Sequence, residues 1–167
     1  MLRKVKPEIR VLAVTGVKIS GDLKRSPLLG VVFRGKHWID GVLKTSVSLH
    51  WSATKALNRM IKGSGHYGQI RVVLADGNFP WRIKAEEWGW LAEKLRRPLI
   101  LLREKASSGS GYSPVRLSFG EVWIKVFRAS LVEAAQVIEA STACPPTPEP
   151  LRVARLLAEA YRKLFSA

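Results

Sequence analysis

The stretch Leu28-Leu29-Gly30-Val31-Val32-Phe33-Arg34-Gly35-Lys36-His37-Trp38-Ile39-Asp40-Gly41-Val42-Leu43 decides the fold class. Its first six residues are an apolar run rich in β-branched side chains, and Trp38 to Leu43 begins another that continues to Val47 and Leu49. Arg34-Gly35-Lys36 between them is a short Gly-containing link of the kind that joins antiparallel neighbours. Upstream, Arg10-Val11-Leu12-Ala13-Val14 suits a strand buried on both faces. Ser20-Gly21-Asp22-Leu23-Lys24-Arg25-Ser26-Pro27 separates it from the second run as a turn region. Three consecutive strands with short connections predict an antiparallel meander.

Downstream the period changes. Ala53, Ala56, Leu57, Met60 and Ile61 recur at helical spacing behind Ser52, a good N-cap residue, and Gly63-Ser64-Gly65 stops that helix. Ile70, Val72, Val73 and Leu74 make a fourth strand that runs into Asp76-Gly77-Asn78. A second helix carries Trp88, Leu91 and Leu95 on one face, with Glu86 and Glu87 complementing its dipole and Pro98 marking its end. Leu99 to Leu102 is a fifth buried strand, and Lys105 to Pro114 is a Ser/Gly-rich loop without periodicity. Val122, Ile124 and Val126 alternate with Trp123, Lys125 and Phe127, which predicts a strand with one wetter face. Ser130-Leu131-Val132-Glu133 is a capping box opening a third helix. Pro145-Pro146-Thr147-Pro148-Glu149-Pro150 is a stiff link into an amphipathic helix, Leu151 to Phe165. A meander leading into βαβ crossovers predicts an α/β mixed sheet with helices on both faces, the strand order of the ribonuclease-H-like fold. At 167 residues the whole chain, 1–167, is expected to form one such domain.

Charge bounds the partner. Lys and Arg number 28 against 13 Asp and Glu, a formal +15, with a pI near 10.6. Such an excess draws polyanions, because neutralising phosphates releases condensed counterions, so DNA or RNA is the expected partner. The other reading is a basic surface that serves solubility or docks an acidic protein. Cys144 is the lone cysteine, which excludes an internal disulfide and a cysteine-based zinc site. His37, His50 and His66 are too scattered to read as a metal motif. No apolar run reaches the roughly 18 residues that span a bilayer, and the basic N-terminus lacks a secretion signal's apolar stretch. A cytoplasmic protein without a membrane partner is the expectation.

Several residues carry two readings each. Asp76, at the end of a buried strand, either starts a turn by accepting nearby backbone N–H groups or contacts a metal. Trp81 beside Arg82 either stacks a base or packs against the sheet end. Arg152, Arg155 and Arg162 lie on one flank of the last helix, as a phosphate-tracking stripe or a solvated face. Asp40 in Asp40-Gly41 reads as a bulge rather than a catalytic acid. His50 precedes the first helix and reads as a surface or capping residue rather than part of a site with Thr15 and Asp76.

Lys6-Pro7-Glu8-Ile9-Arg10-Val11-Leu12, Gly30 to Gly35, Trp38 to Thr45, Arg71-Val72-Val73-Leu74-Ala75-Asp76-Gly77 and Pro148 to Ala154 stand in one order. Together they resemble the archaeal endonuclease dU family, related in fold to endonuclease V. The resemblance implies a DNA-repair endonuclease that nicks at deaminated bases with Mg²⁺ or Mn²⁺. Carboxylates on adjacent strand ends would hold the metal, which activates water and stabilises the leaving oxygen. The family pattern places acids after the first strand, at the start of the first helix and after the fourth strand. Here Thr15-Gly16 stands at the first position and Ser52 at the second, while Asp76 keeps the third. A helix usual after the fifth strand is replaced by the Ser/Gly loop. One carboxylate is a poor Mg²⁺ site, and a hydroxyl supplies no charge. The chain therefore reads as a nucleic-acid-binding relative of that enzyme with its catalytic acids largely replaced. The alternatives are an active Mg²⁺-dependent endonuclease using Asp76 in a rebuilt site, and a basic subunit that binds an acidic protein.

Overall fold

A computed structural model describes residues 4–19, 25–48, 51–106 and 110–165. The three runs of the meander are β1 (Arg10–Gly16), β2 (Arg25–Arg34) and β3 (Trp38–Ser48), each antiparallel to the next. The crossover through α1 (Ala53–Lys62) brings β4 (Val72–Asp76) parallel to β1, and α2 (Ala85–Leu95) brings β5 (Leu99–Arg103) parallel to β4. A hairpin of β6 (Ser113–Leu117) and β7 (Gly120–Phe127) closes the other edge, with β7 antiparallel to β5. Among the described residues the strands form one seven-stranded sheet in the order β3-β2-β1-β4-β5-β7-β6. This is the expected ribonuclease-H-like mixed sheet, flanked by α1, α2, α3 (Leu131–Ser141) and α4 (Glu149–Phe165).

The period of two along β1 explains why a helix layer covers each face. Leu12 and Val14 point to the side where Leu57, Ile61, Leu91 and Leu95 of α1 and α2 fill the core. Val11 and Ala13 point the other way, onto Val137 and Ile138 of α3 and Leu151 and Ala154 of α4. Central strands so enclosed must be apolar throughout, and Val11 to Val14 and Val72 to Ala75 have no exposed surface.

Three local expectations are met. Ser52 Oγ accepts from Lys55 N at 3.4 Å at the start of α1. Ser130 Oγ accepts from Glu133 N at 3.1 Å, while Glu133 Oε2 accepts from Ser130 N at 2.7 Å, a reciprocal cap on α3. Asp40 sits beside a register shift between Val32 and Phe33 and pairs with Arg10 at 2.9 Å and Arg34 at 3.8 Å, so its work is structural.

The loop expected over Lys105 to Pro114 is shorter at its far end, because β6 begins at Ser113. Only Val115 and Leu117 mark this strand in sequence, too few for a periodic signal. Pro114 fits because β6 is an edge strand, where a residue without an N–H need break no ladder bond. α4 starts at Glu149, two residues before Leu151, because Pro150 in the first turn has no N–H that needs a partner. The turn expected over Ser20 to Lys24, together with Leu49 and His50, lies outside the described residues. Among the described residues no helix is long and apolar enough to cross a membrane.

Candidate functional site

The carboxyl ends of the parallel strands meet where β1 lies beside β4. Val14 pairs with Ala75 there, so the next residues along, Thr15 and Asp76, are neighbours. Both are almost fully buried, and Thr15 Oγ1 donates to Asp76 Oδ2 at 3.1 Å. Asn78 N donates to Oδ1 at 3.0 Å, the turn-forming role that the Asp76-Gly77-Asn78 sequence suggests. The remaining acceptor positions go to Arg155 on α4, whose Nε donates to Oδ2 at 2.9 Å and whose Nη2 donates to Oδ1 at 2.8 Å.

The same guanidinium holds a second acid. Arg155 Nη1 donates to Glu104 Oε1 at 2.5 Å and Nη2 to Glu104 Oε2 at 3.3 Å. Thr147 Oγ1 donates to Glu104 Oε1 at 2.9 Å, which ties in the Pro-rich link before α4. Burial opposes the charge on Arg155 most strongly, yet the hydrogen bonds and charges of Asp76 and Glu104 outweigh it and raise its pKa above the ordinary arginine value. Glu104 carried no motif, but its place one residue past β5, beside the end of β4, is a position where α/β sites gather.

The residues present do not suit a divalent cation. A carboxylate offers about four lone-pair positions, and Asp76 receives four donors. Thr15 spends its hydroxyl hydrogen on Asp76. Ser52 bonds Thr54 Oγ1 at 2.9 Å and caps α1, and has no hydrogen bond to Thr15 or Asp76. Among the described residues no three His, Cys, Asp or Glu side chains cluster as a metal would require.

Beside Asp76 opens a cleft of about 380 Å³ between the loop after β4, the start of α2 and the β6–β7 hairpin. Trp81 and Arg82 line it together with Arg103, Tyr112 and Lys125. The half-buried Trp81 ring lies on Gly16 at the end of β1, where any Cβ would run into it. Arg103 Nε donates to Gly77 O at 2.8 Å, and the Arg103 guanidinium stacks 4.5 Å from the Tyr112 ring. Lys125 approaches that ring to 5.3 Å. Burial pushes the Tyr112 phenol up from its ordinary pKa, against the pull of Arg103, so the ring faces the cleft un-ionised at neutral pH. Among the described residues Arg82, Arg103 and Lys125 have no ion-pair partner. Asp76, the acid among the lining residues, is already paired with Arg155. The cleft is therefore cationic and aromatic.

The structure thus brings Thr15, Asp76, Trp81 and Arg82 to one end of the sheet and leaves Ser52 to its helix. It also divides the expected arginine stripe. Arg155 points inward to the two acids, while Arg152 pairs with Glu149 at 2.6 Å and Arg162 with Glu159 at 2.6 Å, each three residues apart on α4. In the sequence Lys125 is only a strand residue and Arg103 belongs to no motif. Their convergence on Tyr112 is a product of the hairpin.

No protein-family profile matches the chain. A UPF0215 protein of Methanosarcina barkeri is 30% identical across 92% of this chain and 91% of its own. Another, of Methanothermobacter thermautotrophicus, is 29% identical across 93% of this chain and 89% of its own. Among solved structures, a protein of unknown function from Archaeoglobus fulgidus superposes with a TM-score of 0.75 at 18% identity, covering 92% of this chain and 98% of that one. Human endonuclease V superposes with a TM-score of 0.72 at 17% identity, over 95% and 86% of the two chains. Endonuclease V of Ciona intestinalis, solved with a 24-residue DNA containing inosine, gives 0.66 at 13% identity over 93% and 87%. At such identities the likeness is one of fold.

Proposed function

This chain belongs to the UPF0215 family, and we propose that it is a nucleic-acid-binding protein on an endonuclease V scaffold. In this reading it is related to metal-dependent DNA-repair endonucleases acting at deaminated bases, the endonuclease dU type. Neutral Thr15 and Ser52 stand where the catalytic acids would be. The observation that carries the proposal is the cleft at the carboxyl end of the sheet, where Arg82, Arg103 and Lys125 surround Trp81 and Tyr112. Phosphates are drawn by unpaired cations, and bases stack on aromatic faces for about 1–3 kcal/mol each. A cleft with both and no free acid favours an unpaired stretch of DNA or RNA over an acidic protein. The formal +15 supplies the long-range attraction.

One observation favours a second reading, an active Mg²⁺- or Mn²⁺-dependent endonuclease. Glu104 provides a second carboxylate beside Asp76, although a guanidinium lies between them. Both readings meet the same experiment. Labelled single- and double-stranded oligonucleotides containing uracil, hypoxanthine or only normal bases are titrated with protein at rising salt, then incubated with Mg²⁺ or Mn²⁺. The proposal expects binding that weakens steeply with salt and strands that stay intact. Metal-dependent nicking abolished by Asp76→Asn would establish the active enzyme instead. Absence of binding at low salt, or binding indifferent to salt, would overturn both in favour of a protein-docking role.

A further inference from the structure

A fold whose relatives are endonucleases would be expected to bring a divalent cation to the end of β4, yet Asp76 has no acceptor position left for one. We propose that the Arg155 guanidinium is this site's resident cation. It pairs with Asp76 and Glu104 together and helps fill the acceptor positions of Asp76, so the native chain takes no divalent ion there, and its removal leaves the same two carboxylates able to take one. The inference concerns the same strand end as the proposed function, but its test needs no nucleic acid, so the two fail separately.

Geometry and charge both support this. Arg155 contacts both acids in a planar fork, and a single nitrogen, Nη2, lies 2.8 Å from Asp76 Oδ1 and 3.3 Å from Glu104 Oε2. The two acids thus converge on one point, as the ligands of a small cation do. Four of the five N–H groups of Arg155 are spent on these carboxylates. Asp76 is buried, and a buried carboxylate requires a compensating charge. Here that charge is covalently attached to α4, whereas a metal would be exchangeable. Arg155 is for the same reason unavailable to phosphate: its direction of use is inward.

The experiment is a Mn²⁺ titration of the whole chain without nucleic acid, read by loss of the free-ion electron spin resonance signal. Wild type, Asp76→Asn, Arg155→Ala and the double variant Asp76→Asn/Arg155→Ala are compared. The expected result is no difference between wild type and Asp76→Asn. Arg155→Ala should gain one Mn²⁺ per chain, at least about tenfold tighter than any wild-type uptake, since a repelling charge gives way to open ligands. The double variant should lose that gain. One Mn²⁺ bound by wild type and lost in Asp76→Asn overturns the proposal, as does a folded Arg155→Ala that gains nothing. If Arg155→Ala is unfolded in buffer, its melting is repeated with Mn²⁺. Recovery of a folded transition that the double variant does not show supports the proposal, and no recovery counts against it.

Discussion

Gly77 shows how tightly the residues after β4 are fixed. Its N–H donates to Leu102 O at 2.8 Å and its carbonyl accepts from Arg103 Nε at 2.8 Å, so both faces of the residue are pinned to β5. A Cβ at this position would lie 2.5 Å from Leu102 O and would also strike the Arg103 stem. Backbone cannot retreat as the end of a flexible side chain can. Gly77→Ala is therefore expected to cost about 1–3 kcal/mol, the range for overpacking a close-packed site. Thermal melting would read this as a drop of roughly 2–4 °C per kcal/mol for a chain of this size. It would also displace Arg103 from the Tyr112 ring. An unchanged melting temperature would mean the β4–β5 junction is looser than its hydrogen bonds imply.

At the scale of elements, the starts of α1, α2 and α3 each have their own local answer to unsatisfied backbone groups. Ser52 caps α1, Glu87 Oε2 accepts from Lys84 N at 2.9 Å ahead of α2, and Ser130 with Glu133 closes the start of α3. α3 lies on the face opposite α1 and α2, and neither Ser130 nor Glu133 lines the cleft. Ser130→Ala should thus lower stability by about 1 kcal/mol in a denaturant titration. Oligonucleotide affinity should stay within error of wild type. Lost affinity at unchanged stability would place α3 in the binding surface. α4 is fastened to the sheet by charge as well as packing. Leu151 and Ala154 are fully buried in the core beneath it, and Arg155 reaches the acids at the strand ends.

Across the whole molecule the excess of positive charge is not evenly available. Arg10, Arg34, Arg128, Arg152, Arg155, Arg162 and Lys163 are engaged by carboxylates of the same chain. Among the described residues the cleft cations Arg82, Arg103 and Lys125 are not, so they, like the other cations without an ion pair, can release counterions when a phosphate arrives. Lys125→Gln and Arg82→Gln should each weaken oligonucleotide binding about equally for every sequence. Each should also reduce the slope of log affinity against log salt by about 1. Arg162→Gln, on an exposed ion pair of α4, serves as the comparison and should change the slope less. Equal slopes for all three would mean that binding is spread over the surface and not focused at the cleft.

The sequence by itself determined what rests on local periodicity and on total charge. The apolar runs from Arg10 to Leu43, the βαβ crossovers, the caps at Ser52 and Ser130 and the excess of positive charge are all legible there, because each depends on neighbours within a few positions or on composition alone. The family resemblance implies that Thr15 and Asp76 share one strand end, and the parallel register of β1 and β4 sets their side chains 3.1 Å apart. Only the tertiary structure decided what Arg155 does. On the helix it reads like Arg152 and Arg162, three and seven residues away, but its partners stand 79 and 51 residues distant. The same holds for Arg103, Tyr112 and Lys125, which converge through a hairpin whose first strand, β6, carries too short an alternation to be read. Helical spacing tells which residues share a flank, but not what the flank faces. Whether a cation meets solvent, phosphate or a buried carboxylate is settled by long-range packing of α4 onto the sheet.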